Sequence, residues 1–465
     1  MKIIKKASPF LLGVLLFGLV SCSNEGSVSY SDKVVANQPL VQVLKQKGYV
    51  FNNEGKLELN DLARQTVSLD LSSTNLTDFT GLDALPNLTE VNLQNNGYKM
   101  SFDFSTLPTQ ITGIDLRGNE LYEFEGLAEV KVEENGDETV NILRPLKKLF
   151  LPEGAKYNGE EVLGFYEKNK NEIDNGTIDM QMVNAGGRLE KYNTLREVPD
   201  EGCRKRLKES FPSLFTGEKI DMAKRIVNAE EKSRTLLVTT VKNAEGVQYV
   251  IHNRSYMGLD VSINSTAPTV IPYLKMKSTF TSIQLDNLST PNGIDFSRCV
   301  NLVRILLANN HEIKELNCSA SKKIGQRGLH DEFFATTDSW VIAQQCEKLE
   351  TVKLPKDAKI VSIVNFLNLP SLKKMDLSQI ECISVLELNG IQAEITFPDI
   401  QYFSRALKID NTRGRTYLSI DENMFKHQST KDFINKYGKN LRGSSPTIFS
   451  DFIKEIPEFD WAAAL

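Results

Sequence analysis

Leu71, Leu82, Leu93 and Phe104 stand 11 residues apart, and Leu116 and Leu127 follow at steps of 12 and 11. The second half of the chain repeats the behaviour: Leu274, Leu285, Phe296, Leu307 and Cys318 recur every 11 residues, with Ile283, Ile294, Ile305 and Leu316 running beside them at the same step. A period this long belongs neither to a strand, which alternates every two residues, nor to a helix, which repeats every 3.6. It marks a supersecondary unit written again and again. The spacing predicts a 22-residue coil with two inward-pointing stretches: a strand on one side and an extended return segment on the other. One such coil cannot keep its apolar face dry, so stacked neighbours must supply the core. Leu93, Phe104, Leu285 and Phe296 are therefore expected inside, with Cys318 among them. Asn96, Asn119 and Asn310 are expected at the turns, bonding backbone that is otherwise buried unpaired.

The local strings agree with this period. Val67-Ser68-Leu69-Asp70-Leu71 and Leu88-Thr89-Glu90-Val91-Asn92-Leu93 alternate as half-buried strands, and Ile111 to Leu121 matches LxxLxLxxNxL in full. Later stretches carry a cysteine three residues before the leucine, at Cys299/Leu302 and Cys346/Leu349. Others end the strand in proline, as at Pro152 and Pro355, and Leu372 to Leu377 and Ile383 to Leu388 continue the pattern. Over residues 66–155 and 260–410 the chain resembles the leucine-rich-repeat family, in the form found in cell-envelope lipoproteins of the Bacteroidetes type. That resemblance implies an α/β repeat fold: a leucine-rich-repeat solenoid with a curved parallel β-sheet, here in two arrays with an irregular α/β region between them and a cap at each end.

The amino terminus carries an independent signal. Lys2, Lys5 and Lys6 precede an apolar run from Phe10 to Val20, too short to span a bilayer as a helix. It ends in Leu19-Val20-Ser21-Cys22. This is the pattern of a secretory signal peptide, and its last four residues resemble the lipobox of bacterial lipoproteins. The resemblance implies cleavage before Cys22, a diacylglycerol on its thiol and anchoring through several acyl chains, each buried CH₂ adding about 0.8 kcal/mol. Contact with the membrane is expected through this lipid alone, on an outer-membrane lipoprotein facing either the cell surface or the periplasm. Ser23 to Ser27 is a short polar tether.

Removing residues 1–21 takes away three lysines and no acid, moving the formal net charge from −5 to −8. Bulk charge of this sign excludes a general nucleic-acid binder. Five cysteines remain beyond Cys22, scattered and without a CxxC: Cys203, Cys299, Cys318, Cys346 and Cys382. They form neither a disulfide framework nor a zinc site and read as small buried apolar residues.

The expected organisation is a signal peptide (1–21), a tether (22–37), an N-terminal cap (38–65), a first array (66–155), an irregular region (156–259), a second array (260–410) and a C-terminal cap (411–465). The first cap is expected to carry a short helix at Leu40–Leu44. Phe51 to Leu57 looks like the remnant of a calcium loop without the acids such a loop requires. The acidic stretch 131–142 reads as an exposed hairpin or loop. In the irregular region Arg204–Phe211 and Ile220–Ala229 have helical patterns, while Thr235–Val241 and Val247–Ile251 read as paired strands. The region is either an inserted α/β unit or a run of degenerate repeats. Helices are expected near Glu422–His427 and Lys431–Tyr437.

No catalytic motif emerges. His252, His311, His330 and His427 form no HExxH, and there is no GxSxG, P-loop or GxGxxG. His330 beside Asp331 and Glu332 is the most site-like cluster, yet nothing adjacent supplies a nucleophile or metal ligand. Cys203 lies next to Arg204, Lys205 and Arg206, which favour a thiolate if it is exposed. No cofactor, metal or catalysis is expected.

Binding is the function the repeat geometry favours, because strand residues pointing away from the core build a continuous face. In the first array that face is expected to include Asp70, Glu90, Asn92 and Asp115, and in the second Gln284, Arg304, Lys353, Lys374, Asp376 and Glu387. The expected partner is a protein. The alternative is a glycan-binding accessory of an envelope uptake system, using Tyr157, Tyr166 and Tyr192 of the irregular region as stacking groups.

Overall fold

The computed structural model describes residues 28–132, 138–226, 235–253, 260–277, 280–326, 339–401 and 416–444. The expected signal peptide, Cys22 and the start of the expected tether lie outside the described residues, as do His330, Asp331 and Glu332. The fold is mixed α/β, with most strands in parallel sheets and no closed barrel.

Alternation builds the first sheet. Leu69 and Leu71 are buried while Ser68 and Asp70, which alternate with them, are exposed. Ser68–Asp70 pairs in parallel with Glu90–Asn92, then come Gly113–Asp115, Lys148–Leu151 and Asp179–Val183, and Leu189–Lys191 closes the order antiparallel. Cα register places Leu69, Val91, Ile114, Leu149 and Met180 in one inward row. The next residue inward on each of these strands, Leu71, Leu93, Leu116, Leu151 and Met182, is buried as well.

A second sheet, nine-stranded among the described residues, runs from Thr235–Thr239 to Leu441–Ser444 and is parallel throughout. Its inward rows are equally regular: Ile283, Ile305, Val341, Val364, Leu386 and Leu418 in one, Leu285, Leu307, Ala343, Phe366, Leu388 and Ile420 in the other. All are 1% exposed or less. Burying one such side chain stabilises by roughly 1.5–3 kcal/mol. The other half of each step forms a four-stranded parallel sheet of Glu315–Asn317, Thr351–Lys353, Lys374–Asp376 and Glu394–Thr396. The two phases of the 11-residue series thus land on opposite sides: Leu285 and Leu307 lie in the nine-stranded sheet, while Phe296 and Cys318 are buried on the return side.

A left-handed residue turns the chain at the end of many of these strands. Asn95, Asn309, Gln345 and Asn368 have φ of 53–54°, and Gly118 and Gly390 hold the same place. A Cβ on Gly118 would lie 1.9 Å from Asn95 Oδ1, so this corner requires glycine on packing as well as conformation. The following residue points inward and ties neighbouring coils together. Asn119 Nδ2 donates to Leu93 O (3.0 Å) and Leu116 O (2.8 Å), and its Oδ1 accepts from Asn96 N (2.9 Å). Asn96 and Asn310 donate to Leu71 O and Leu285 O in the same manner. Cys346 occupies the next such place, its thiol donating to Gln344 O at 3.3 Å; Leu369 and Ile391 then replace it with hydrocarbon.

Two hydrophobic cores result, one over residues 35–192 and one over 157–441. Gln38–Gln46 is helical as expected, with Asn37 accepting from Leu40 N and Leu40, Val41 and Leu44 buried. Ala128–Val132 and Glu138–Ile142 form the expected hairpin, antiparallel, its apex outside the described residues.

Several expectations are corrected. Val247–Ile251 is a helix, not a strand, and all five of its residues are buried; packing on every side overrides their β-preference. Thr235–Thr239 is a strand, but its partner is Asp260–Asn264, in parallel. Within Ile220–Ala229 the described part begins in a strand, Lys219–Asp221, which pairs with Phe215–Thr216. The boundaries also move. The first sheet continues to Lys191, past residue 155, and the nine-stranded sheet starts at Thr235, ahead of residue 260. The expected C-terminal cap holds Glu422–Lys426 and Gln428–Tyr437 as helices, yet Thr416–Ile420 and Leu441–Ser444 extend the sheet around them.

Replacing Asn119 by alanine removes donors from two carbonyls and an acceptor from Asn96 N. A loss of about 2 kcal/mol is expected from buried groups left unpaired, measured by urea unfolding of the purified chain.

Candidate binding faces and the joint between the cores

The ten positions expected to share one face divide among three sheets, a correction with a simple cause. The LxxLxL pattern is written in both halves of the later coils, so it does not say which side a strand joins. Asp70, Glu90, Asn92 and Asp115 lie on the six-stranded sheet; Gln284, Arg304 and Glu387 lie on the nine-stranded sheet; Lys353, Lys374 and Asp376 lie on the four-stranded sheet opposite.

On the six-stranded sheet two of the three acids, Asp115 and Glu90, are compensated. Arg117 clasps Asp115 at 2.6 Å, Gln94 donates to it at 2.8 Å, and Lys148 pairs with Glu90 at 2.9 Å. Arg117 and Lys148 both lie over Phe150, 5.2 and 5.1 Å from the ring centroid. Asp70 is exposed and accepts from Ser72 N at 3.0 Å, so the face is neutralised at Glu90 and Asp115 and acidic at the Asp70 edge. On the four-stranded sheet Lys353 pairs with Glu315 at 2.5 Å, and Lys374 and Asp376 are exposed.

The nine-stranded sheet presents a different surface. Register aligns Ser282, Arg304, Trp340, Ile363, Val385 and Tyr417 in one outward row. The next row holds Gln284, Leu306, Ile342, Asn365, Glu387 and Ser419. Trp340 is 37% exposed, and the Arg304 guanidinium lies 5.1 Å from its ring centroid. Leu306, Ile342, Ile363, Val385 and Tyr417 are each half-buried, making an apolar strip that nothing in the described chain covers completely. Polar side chains edge it: Gln344 donates to Asn365 at 3.3 Å, and Asn365 donates to Glu387, whose carboxyl burial holds above the usual range. The aromatic pair escapes the sequence pattern because Trp340 and Tyr417 enter the row after steps of 36 and 32 residues, where the 22-residue rhythm lapses.

The irregular region joins the two cores. His252 is 7% exposed, with Nδ1 2.6 Å from Tyr157 O, while Nε2 accepts from Lys275 N at 3.1 Å. Because Nε2 accepts, the proton sits on Nδ1 and the ring is neutral. Burial pushes its pKa down to about 4. Lys275 pairs with Glu123 and Arg298 with Glu160, both at 2.5 Å, and Asn292 donates to Tyr122. His252, Glu123, Glu160 and Lys275 line a cavity of only about 10 Å³, room for one water. His252 and these carboxylates form a structural joint.

Cys203 is wholly buried, and its thiol is pushed up to about 12, the reverse of activation by the neighbouring basic residues. Asp421 is a helix cap, accepting from Met424 N and Gly390 N. Tyr157 and Tyr192 are 3% and 2% exposed, so they sit inside the cores and not at a stacking surface. Among the described residues no group of three or more His, Cys, Asp or Glu side chains is placed to hold a metal, and no helix is long and apolar enough to cross a membrane. No protein-family model, curated protein or solved structure matches the chain.

The joint has a pH signature. An unfolded His252 binds its proton near pH 6.5 and the folded one near 4. Its stability contribution is present above pH 6.5 and is lost as pH falls from 6.5 through 4, amounting to about 3 kcal/mol. His252→Gln should flatten the fall of the unfolding midpoint across that window relative to the parent; an unchanged slope assigns the fall to carboxylates instead.

Proposed function

We propose that this chain is a lipid-anchored leucine-rich-repeat protein of the bacterial cell envelope, a non-catalytic binder that holds a protein ligand on the outward face of its nine-stranded sheet. The observation that carries the reading is the strip around Trp340. Apolar side chains left on a sheet surface in one contiguous patch mark an interaction site. An aromatic ring topped by a guanidinium is the kind of anchor that dominates binding energy at protein interfaces. At a strand spacing of about 4.8 Å, the row from Ser282 to Tyr417 is roughly 24 Å long, enough to engage one helix or two strands of a partner.

The repeat reading is supported by parallel register steps of 22 and 23 residues, by the left-handed corners and by the asparagine ties between coils. Anchoring rests on the sequence Leu19-Val20-Ser21-Cys22. The face chosen from sequence narrows to Arg304, Gln284 and Glu387, with Trp340, Ile342 and Tyr417 added to them.

The test is made in the native cell. Cys22→Ala should abolish incorporation of labelled palmitate and release the protein from membranes. A photo-crosslinker at Ile342 should give a discrete protein adduct that Trp340→Ala or Arg304→Glu removes, while the same probe at Lys374 gives none. Equal labelling from both positions would refute the face.

A further inference from the structure

A cavity of about 560 Å³ opens between the last strands of the six-stranded sheet and the buried helix Val247–Ile251. Its size falls within the roughly 300–1,000 Å³ of small-molecule sites. It lies on a different part of the molecule from the Trp340 strip and owes nothing to it. Three cations line it, Lys156, Arg196 and Lys219, and Lys219 is paired with Glu197 at 2.9 Å. Arg196 is 5% exposed; its Nε donates to Lys156 O and its Nη1 to Asn193 O and Leu195 O. Its Nη2 has no acceptor, and the guanidinium rests 5.6 Å from the Tyr192 ring centroid. No carboxylate among the described residues forms an ion pair with it. The Lys156 side chain is 14% exposed and reaches Glu153 at 3.0 Å and, more loosely, Glu245 at 3.8 Å.

A buried guanidinium held only by carbonyls keeps an uncompensated charge, which attracts an anion into the adjoining space. The remaining lining says which kind. Glu190, Glu197 and Glu245 also line the cavity, Glu197 paired with Lys219 and Glu245 within 3.8 Å of Lys156, and this balance disfavours the compact double charge of phosphate against one carboxylate per sugar unit. Glu190 already accepts from Asn184 at 2.7 Å and Asn193 at 3.3 Å, so the rim is a network of neutral amides and carboxylates suited to hydroxyl groups. Met182 and Tyr249 give it apolar wall.

We propose that this cavity binds a polyhydroxylated monocarboxylate, a uronic acid unit of an acidic oligosaccharide, with its carboxylate beside Arg196 and Lys156 and its hydroxyls on Asn184, Glu190 and Asn193. The site has a functional meaning of its own: a second ligand class on a protein whose sheet face takes another.

Calorimetric titration of the full purified chain with digalacturonate tests it, with cellobiose and inorganic phosphate as comparison probes. Saturable binding of digalacturonate, at least tenfold tighter than either comparison, is expected. Arg196→Gln should weaken it at least tenfold. Because Arg196 is buried, Leu195→Trp serves as the second variant: Leu195 is 40% exposed at the cavity, so an indole there fills the space without entering the core, and it should abolish binding with the unfolding midpoint unchanged. Trp340→Ala should leave the titration as it was, which separates this site from the sheet face. Absence of digalacturonate binding, equal binding of cellobiose, tighter binding of phosphate, or full binding by Leu195→Trp would each overturn the proposal.

Discussion

Contact between equivalent side chains on successive strands is what the molecule depends on. Ile283 lies beside Ile305, Ile305 beside Val341, Val341 beside Val364, and so on across the sheet, each covering the next from water. No single strand has a core of its own, so each inward row is kept dry by the strands on either side. The same contact fixes register, because a slip of one residue turns every inward side chain outward. The outward rows follow as a consequence. Arg304 and Trp340 meet because Ile305 and Val341 do.

That dependence explains where polar groups are spent. At many strand ends the chain turns through a left-handed residue and leaves carbonyls facing inward. Asn96, Asn119 and Asn310 satisfy them from the neighbouring coil. Where Cys346 stands instead, a thiol makes the weaker bond, and at Leu369 and Ile391 the place is apolar. The centre of the molecule uses a different device. Tyr122, Tyr157, Tyr249 and Tyr273 pack ring against ring, with centroids 5.7–5.9 Å apart, one pair stacked and two tilted, and His252, Glu123–Lys275 and Glu160–Arg298 pin the elements beside them. The ion pairs there are partly shielded from water, which makes breaking one partner costly.

Much of this was legible in the sequence. The 11-residue series named core residues correctly on both sides of the coil: Leu93, Phe104, Leu285 and Phe296 are all 2% exposed or less. The corner asparagines and the buried cysteines Cys203, Cys299, Cys318, Cys346 and Cys382 were legible too. Other features were not. A pattern of inward residues is the same for a strand in either sheet, so Lys353 and Lys374 were placed with Arg304 although they lie opposite it. Val247–Ile251 has the residues of a strand, and only its burial on all sides makes it a helix. Trp340 and Tyr417 join the outward row through long steps that no short period reports. Arg196 carries no sequence signal at all, since its interest lies in what surrounds it.

The register of the outward face is the claim on which the rest stands, and a pair of introduced cysteines reads it directly. Cα atoms facing each other in adjacent parallel strands are about 4.8 Å apart, within reach of a disulfide. Ile342→Cys with Asn365→Cys should oxidise to an intramolecular bridge in the folded protein, detected by peptide mapping. Ile342→Cys with Val364→Cys, whose second side chain points into the core, should stay reduced. A bridge in the second pair and none in the first would contradict the register, and with it the row that brings Arg304, Trp340 and Tyr417 onto one surface.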